Sequence, residues 1–203
     1  MRIQIVIFNG FDELDAIAPY EVFANAAELG ADLQVELVTL DSREEVTASH
    51  GLSLRPQGRL DLDTPADIVV IPGGGWNNRA EAGAWAESER GDLAKGLIQL
   101  QQAGVTIAGV CTGGALLNAA GIIGDLAATT HHGAIAELQT AGVETPAARV
   151  VDEDKLITAG GVTSGLDLAL WIVEKYWGAP LAIAVEEELE YQRRGTVWQR
   201  QSH

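Results

Sequence analysis

The apolar runs Arg2 to Phe8, Leu33 to Leu40, Ile68 to Ile71 and Thr106 to Val110 constrain this chain more than any other feature. They are strand-length, and the first of them, with Ile3, Ile5, Val6, Ile7 and Phe8, has almost no position left for a wet face. Turn residues stop them: Asn9-Gly10 after the first run and Pro72-Gly73-Gly74-Gly75 after the third. Helical patterns fill the gaps. One is expected over about Ile17 to Leu29, with Pro19 in its first turn and Gly30 ending it; others fall within roughly Arg90 to Ala103 and over about Thr112 to Ala119. Strands buried on both faces and separated by helices mean βαβ units, hence an α/β fold with a mostly parallel central sheet covered on both sides.

The rest of the chain fits that frame. Val46 to Leu54 is expected to form a short hairpin around Ser49-His50-Gly51, and Arg149 to Thr158 a strand pair turning at Glu153-Asp154. Further helices are expected around Ala134 to Ala141, from about Ser164 to Trp177, and, strongly acidic, over about Pro180 to Glu190. Trp171, Tyr176 and Trp177 recur at packing intervals and read as core or interface. With 203 residues, no internal repeat and no linker, a single domain spanning 1–203 is expected, its core at 2–177 with the acidic helix at 180–190 behind it.

Charge narrows the range of partners. The 29 Asp and Glu against 13 Lys and Arg give a net charge of -16, and Lys95, Lys155 and Lys175 are the lysines present. Such a surface repels a phosphate backbone, so no nucleic-acid partner is expected. Spread carboxylates with scarce lysine suit a high-salt cytoplasm, and a halophilic source is one reading; an ordinary acidic protein is the other. Met1 to Phe8 has a strand pattern rather than a signal peptide's, and no run approaches the roughly eighteen apolar residues of a membrane helix, so a cytoplasmic protein with no membrane partner is expected.

Cys111 is the single cysteine. The stretch Thr106-Ile107-Ala108-Gly109-Val110-Cys111-Thr112-Gly113-Gly114 is a buried strand turning directly into a helix. That junction aims the first free helical N–H groups at the sulfur, which favours a thiolate, and it sits at a strand's carboxyl end, where open parallel sheets bind ligands. A core cysteine would need no flanking Gly109 and Gly113-Gly114, so a reactive thiol is the better reading than a small buried hydrophobe. Asp15, on the rim after the first strand, is either a helix cap or a carboxyl that reaches the sulfur and shares its protons. The glycines at 73–75 offer bare backbone N–H groups to a developing negative charge. They lack the spacing of a phosphate loop, no GxGxxG follows the first strand, and His131-His132 would face opposite ways in a strand; no cofactor and no metal is expected.

Taken together, Leu14-Asp15 with Pro19, Ile71-Pro72-Gly73-Gly74, Val110-Cys111-Thr112-Gly113, Ala119-Ala120-Gly121, Ala128-Thr129-Thr130-His131 and Thr158-Ala159-Gly160-Gly161-Val162-Thr163-Ser164-Gly165-Leu166-Asp167 resemble the ThiJ/PfpI superfamily, and within it the isonitrile hydratase branch. The resemblance covers about residues 3 to 177. It implies a flavodoxin-like three-layer sandwich, class I glutamine amidotransferase-like, that usually dimerises. It implies Cys111 as nucleophile, Asp15 as assisting carboxylate, Thr112 beside them, and backbone donors at Gly74 and Thr112. Peptidase-like and deglycase-like branches carry a histidine directly after the cysteine, where this chain has Thr112. It departs from the hydratases at His132, where they carry a tryptophan. The implied activity is hydration of an isonitrile to an N-substituted formamide. Two alternatives stay open: glyoxalase- or deglycase-like work on small carbonyl compounds, and an oxidation-sensing cysteine without turnover.

Overall fold

The computed structural model describes residues 1–200. Its main sheet is built from β1 (Arg2–Val6), β2 (Gln34–Thr39), β5 (Gly58–Arg59), β6 (Ile68–Ile71), β7 (Thr106–Val110), β8 (Val150–Asp152), β9 (Leu156–Ala159) and β10 (Val197–Gln199). A separate hairpin pairs β3 (Val46–Thr47) with β4 (Ser53–Leu54), antiparallel as expected. The eight-stranded sheet has the order β10-β8-β9-β7-β6-β1-β2-β5, parallel throughout except where β8 meets β9. Its centre, β2-β1-β6-β7-β9, has the flavodoxin strand order, with β1 and β6 neighbours at the point where the order reverses.

Helices α1 (Glu13–Glu28), α2 (Ala84–Arg90), α3 (Asp92–Gln102), α4 (Gly113–Ala119), α5 (Ile135–Thr140), α6 (Ser164–Trp177) and α7 (Ala179–Glu188) cover the sheet. The chain moves one way from β1 to β2 and the other way from β6 to β7, so right-handed crossovers put α1 and α3 on opposite faces. α6 lies with α1 and α7; it buries Leu168, Ala169, Leu170, Ile172 and Val173. The strand ends at β1, β6 and β7 therefore open together at the reversal point, and that positions the site.

Several boundaries differ from expectation for local reasons. The helix expected within Arg90 to Ala103 is α3, and a shorter helix, α2, precedes it; Gly91 at φ 73 breaks the ladder between them. α1 begins at Glu13, not Ile17, so Pro19 lies well inside it. Proline at 19 removes the N–H that would bond the Asp15 carbonyl. The ring instead packs against α6 at Gly165, where an added Cβ would stand 3.2 Å from Pro19 Cδ. β5, two residues, and β10, three, are too short to give a strand pattern and are not expected; both are edge strands of the sheet. Trp171 and Tyr176 are tied into the domain, Trp171 Nε1 donating to Asp152 at 2.9 Å and the Tyr176 hydroxyl lying 3.3 Å from Thr106 Oγ1. No helix among the described residues is long and apolar enough to cross a membrane.

Candidate active site

Cys111 follows β7 with φ 55, a left-handed backbone that a side chain adopts at a cost. Its surroundings hold it there. Its N–H donates to the carbonyls of Ala159 (3.1 Å) and Gly160 (3.0 Å), and its carbonyl accepts from Gly114 N–H (3.2 Å) and the Thr130 hydroxyl (2.7 Å). The turn demands a glycine two positions on: a Cβ on Gly113 would fall 2.1 Å from the Ile71 carbonyl oxygen. Cys111 is 5% exposed and its neighbour Asp15 0%, so the pair is shut away from bulk water.

Asp15 is not the cap of α1. Asp12 is, its side chain accepting from Leu14 N–H. One turn on, the Asp15 carboxyl points inward. Oδ2 accepts the Gly73 N–H at 2.9 Å, while Oδ1 is buried and bonds to no group among the described residues. Burial, with the Asp12 charge adding to it, pushes the Asp15 carboxyl well above the usual carboxylate range. Burial first, then the nearby Asp15 charge, pushes the Cys111 thiol up to about 12. The two side chains touch and perturb each other, yet Oδ1 has no bond of ordinary geometry, so the thiol–carboxyl contact is proximity short of a formed hydrogen bond. Each anion is costly beside the other, so the pair retains at least one proton over the neutral range.

This corrects the expected thiolate. α4 is short, and burial outweighs the few groups that favour the charge. Those groups are the backbone N–H of Val162 and of Thr112, each of which favours the sulfur's anion. The second correction concerns Gly74. Its N–H is taken by Thr112 Oγ1 at 2.9 Å and is not free for an oxyanion. The glycine segment instead organises the site from the side: Gly73 N–H holds Asp15, Gly73 carbonyl accepts from Asp12 N–H at 3.0 Å, and Gly74 fixes the Thr112 hydroxyl. Val162 was the donor missed in the sequence; the only cue was the Gly160-Gly161 pair before it.

His131 and His132 sit at a 3₁₀ turn (His132–Ala134), not in a strand, and their rings stack with centroids 4.1 Å apart. His131 Nδ1 accepts from Gly133 N–H at 3.1 Å and lies 3.3 Å from the Asn77 amide nitrogen. Burial and His132 hold His131 below the ordinary imidazole range. Its ring lies against Gly161, where a Cβ would meet Cδ2 at 2.7 Å, so it backs the loop that carries Val162. Asn77 belongs to a loop pinned by Arg79, whose guanidinium lies 3.9 Å from the Trp85 ring centroid and bonds Glu137 at 2.9 Å.

A strained, buried cysteine and a buried carboxyl at the reversal point of a 2-1-3-4-5 parallel sheet define the class: a flavodoxin-like, class I glutamine amidotransferase-like protein with a cysteine elbow. The chain belongs to the DJ-1/PfpI family, whose model matches residues 1–175. It is 34% identical over 192 residues to an isonitrile hydratase of Pseudomonas putida, covering 94% of this chain and 78% of that one. It is 29% identical over 195 residues to the Parkinson disease protein 7 homolog of Danio rerio, covering 93% of this chain and 96% of the other. Among solved structures, oxidized DJ-1 of Toxoplasma gondii superposes with a TM-score of 0.81 at 19% identity, over 95% of this chain and 99% of that one, which shows the shared fold.

Proposed function

We propose that this protein is a cysteine-dependent hydratase that adds water across an isonitrile to give an N-substituted formamide. One observation carries the reading: the Cys111 sulfur lies beside a fully buried carboxyl with an oxygen, Oδ1, that has no hydrogen-bond partner among the described residues. A carboxyl held this way exchanges protons with the sulfur and with whatever binds there. Cys111 attacks the terminal carbon while its proton passes to Asp15, which delivers it to that same carbon and leaves a thioformimidate on the sulfur. Water then adds to the carbon; one of its protons passes by way of Asp15 to the substrate nitrogen. Breaking the C–S bond releases the formamide as the remaining hydroxyl proton returns to the sulfur. Thr112 contributes its N–H to the sulfur and, with its hydroxyl fixed by Gly74, keeps the elbow in place.

The kinship to the Pseudomonas putida isonitrile hydratase supports this substrate class, as does threonine rather than histidine after the cysteine. Formamide production from cyclohexyl isonitrile, followed by chromatography, is the direct test. Steady formamide formation is expected; lactate from methylglyoxal with no formamide from the isonitrile would replace this reading with carbonyl chemistry.

We also propose that the protein works as a homodimer through the body of the domain. The acidic run Glu186-Glu187-Glu188 on α7 would set like charges against each other across a two-fold axis. Sedimentation of the full chain should give twice the 21.5 kDa protomer mass in both low and high salt. A monomer at all concentrations overturns it.

A further inference from the structure

The turn that bonds the Cys111 backbone is held from outside the site. Gly160 N–H donates to the Arg149 carbonyl at 2.9 Å, while the carbonyls of Ala159 and Gly160 receive the Cys111 N–H. Val162, two residues on, carries an N–H that favours the sulfur's anion. The Arg149 side chain also grips this turn: Nε and Nη2 donate to Asp167 Oδ2 at 2.9 and 2.6 Å, and Nη2 reaches Thr163 Oγ1 at 3.1 Å. Asp167, in the first turn of α6 and 3% exposed, has further partners from the segment between α7 and β10. The Tyr191 hydroxyl donates to it at 3.2 Å and the Arg194 N–H at 2.8 Å. Burial, then the Asp167 charge, raises the Tyr191 hydroxyl, which keeps it a donor. None of these groups takes part in the chemistry proposed above, and a buried ion pair is weak evidence of a role in stability alone.

We propose that Asp167 is a positioning residue: with Arg149 and the Tyr191 hydroxyl it ties the 191–194 segment to the 160–163 turn and so fixes the backbone that holds the Cys111 elbow and carries the Val162 N–H. The inference rests on Cys111 being the nucleophile and not on the identity of the substrate. An N–H held on the sulfur stabilises its anion; one that wanders does not. The charged groups facing the sulfur are Asp15 from α1, with Asp12 behind it, and His131 lies beyond Gly161. Changes at Asp167 or Tyr191 leave all three in place, so an altered thiol would report the turn.

The experiment follows iodoacetamide labelling of Cys111 from about pH 6 to about pH 10 in the full chain, beside thermal unfolding. Tyr191→Phe should label roughly threefold slower and Asp167→Asn about tenfold slower across that whole range, which lies below the thiol midpoint, so each profile runs parallel to the parent's and beneath it. Arg193→Gln is the control. It breaks pairs with Glu174 and Glu186 that hold the same segment but do not touch the turn. It should lower the Tm and keep the parent profile. If Asp167→Asn fails to fold, Tyr191→Phe, which loses one hydroxyl and keeps its ring, still decides. A Tyr191→Phe profile that superimposes on the parent, or an equal displacement in Arg193→Gln, overturns the proposal. Formamide assays on the same proteins separate the two readings: displaced labelling without formamide from the parent removes the hydratase reading and leaves the positioning role standing.

Discussion

Replacing Asp15 by asparagine should lower formamide turnover by roughly 10²–10⁴, the usual worth of a positioned proton donor and acceptor, while making the folded protein more stable at neutral pH. The two effects share one cause. Asp15 is fully buried, accepts an N–H from Gly73, leaves Oδ1 without a partner among the described residues and has Asp12 nearby. Its folded pKa is therefore raised above the unfolded value of about 3.9. A raised carboxyl means the native state holds a proton that the unfolded chain has already lost. Stability thus falls as pH rises from the unfolded pKa through the folded one, and above that window the deficit is complete. Asparagine keeps the shape and the acceptor for Gly73 and removes the charge. A gain of about 1–3 kcal/mol near pH 7 is expected, shrinking towards zero below about pH 4. Iodoacetamide labelling of Cys111 should quicken, because the like charge that raises the thiol is gone. Thermal melts against pH, steady-state turnover and labelling rates on this one variant are sufficient. Full turnover with a lowered Tm would remove Asp15 from the mechanism and return it to a packing role.

Cys111→Ser should abolish turnover more completely, by roughly 10⁴–10⁶. The seryl oxygen occupies the same elbow and accepts the same N–H groups of Thr112 and Val162. Its proton is nevertheless far harder to remove than a thiol's, even for a carboxylate that burial makes more basic. The fold should persist, because both residues meet the same φ of 55 and the same bonds to Ala159, Gly160 and Thr130. The variant separates two roles of the site. Persistence of even a hundredth of the parent rate, in protein shown by mass to carry no residual cysteine, would mean that water adds without a covalent intermediate.

Much of this molecule follows from local patterns. The runs at 68–71 and 106–110 and the helix Ser164–Trp177 have the expected bounds, because a strand buried on both faces needs continuous branched apolar residues and the buried helix needs its stripe. Cys111 was legible through its glycines, since a backbone turning that sharply under Ile71 admits no side chain at 113. Tertiary structure alone decided the rest. Whether Asp15 capped α1 or faced the sulfur depended on Asp12 taking the cap, a choice between carboxylates three residues apart that both fit the pattern. The Gly74 N–H is free or engaged according to where Thr112 Oγ1 falls, and the donors at Val162 and the clamp at Asp167 join segments distant in the chain. The protonation of the Cys111–Asp15 pair was likewise beyond the sequence: helix polarity argued for a thiolate, and it is the depth of burial, a property of the assembled layers, that outweighs it.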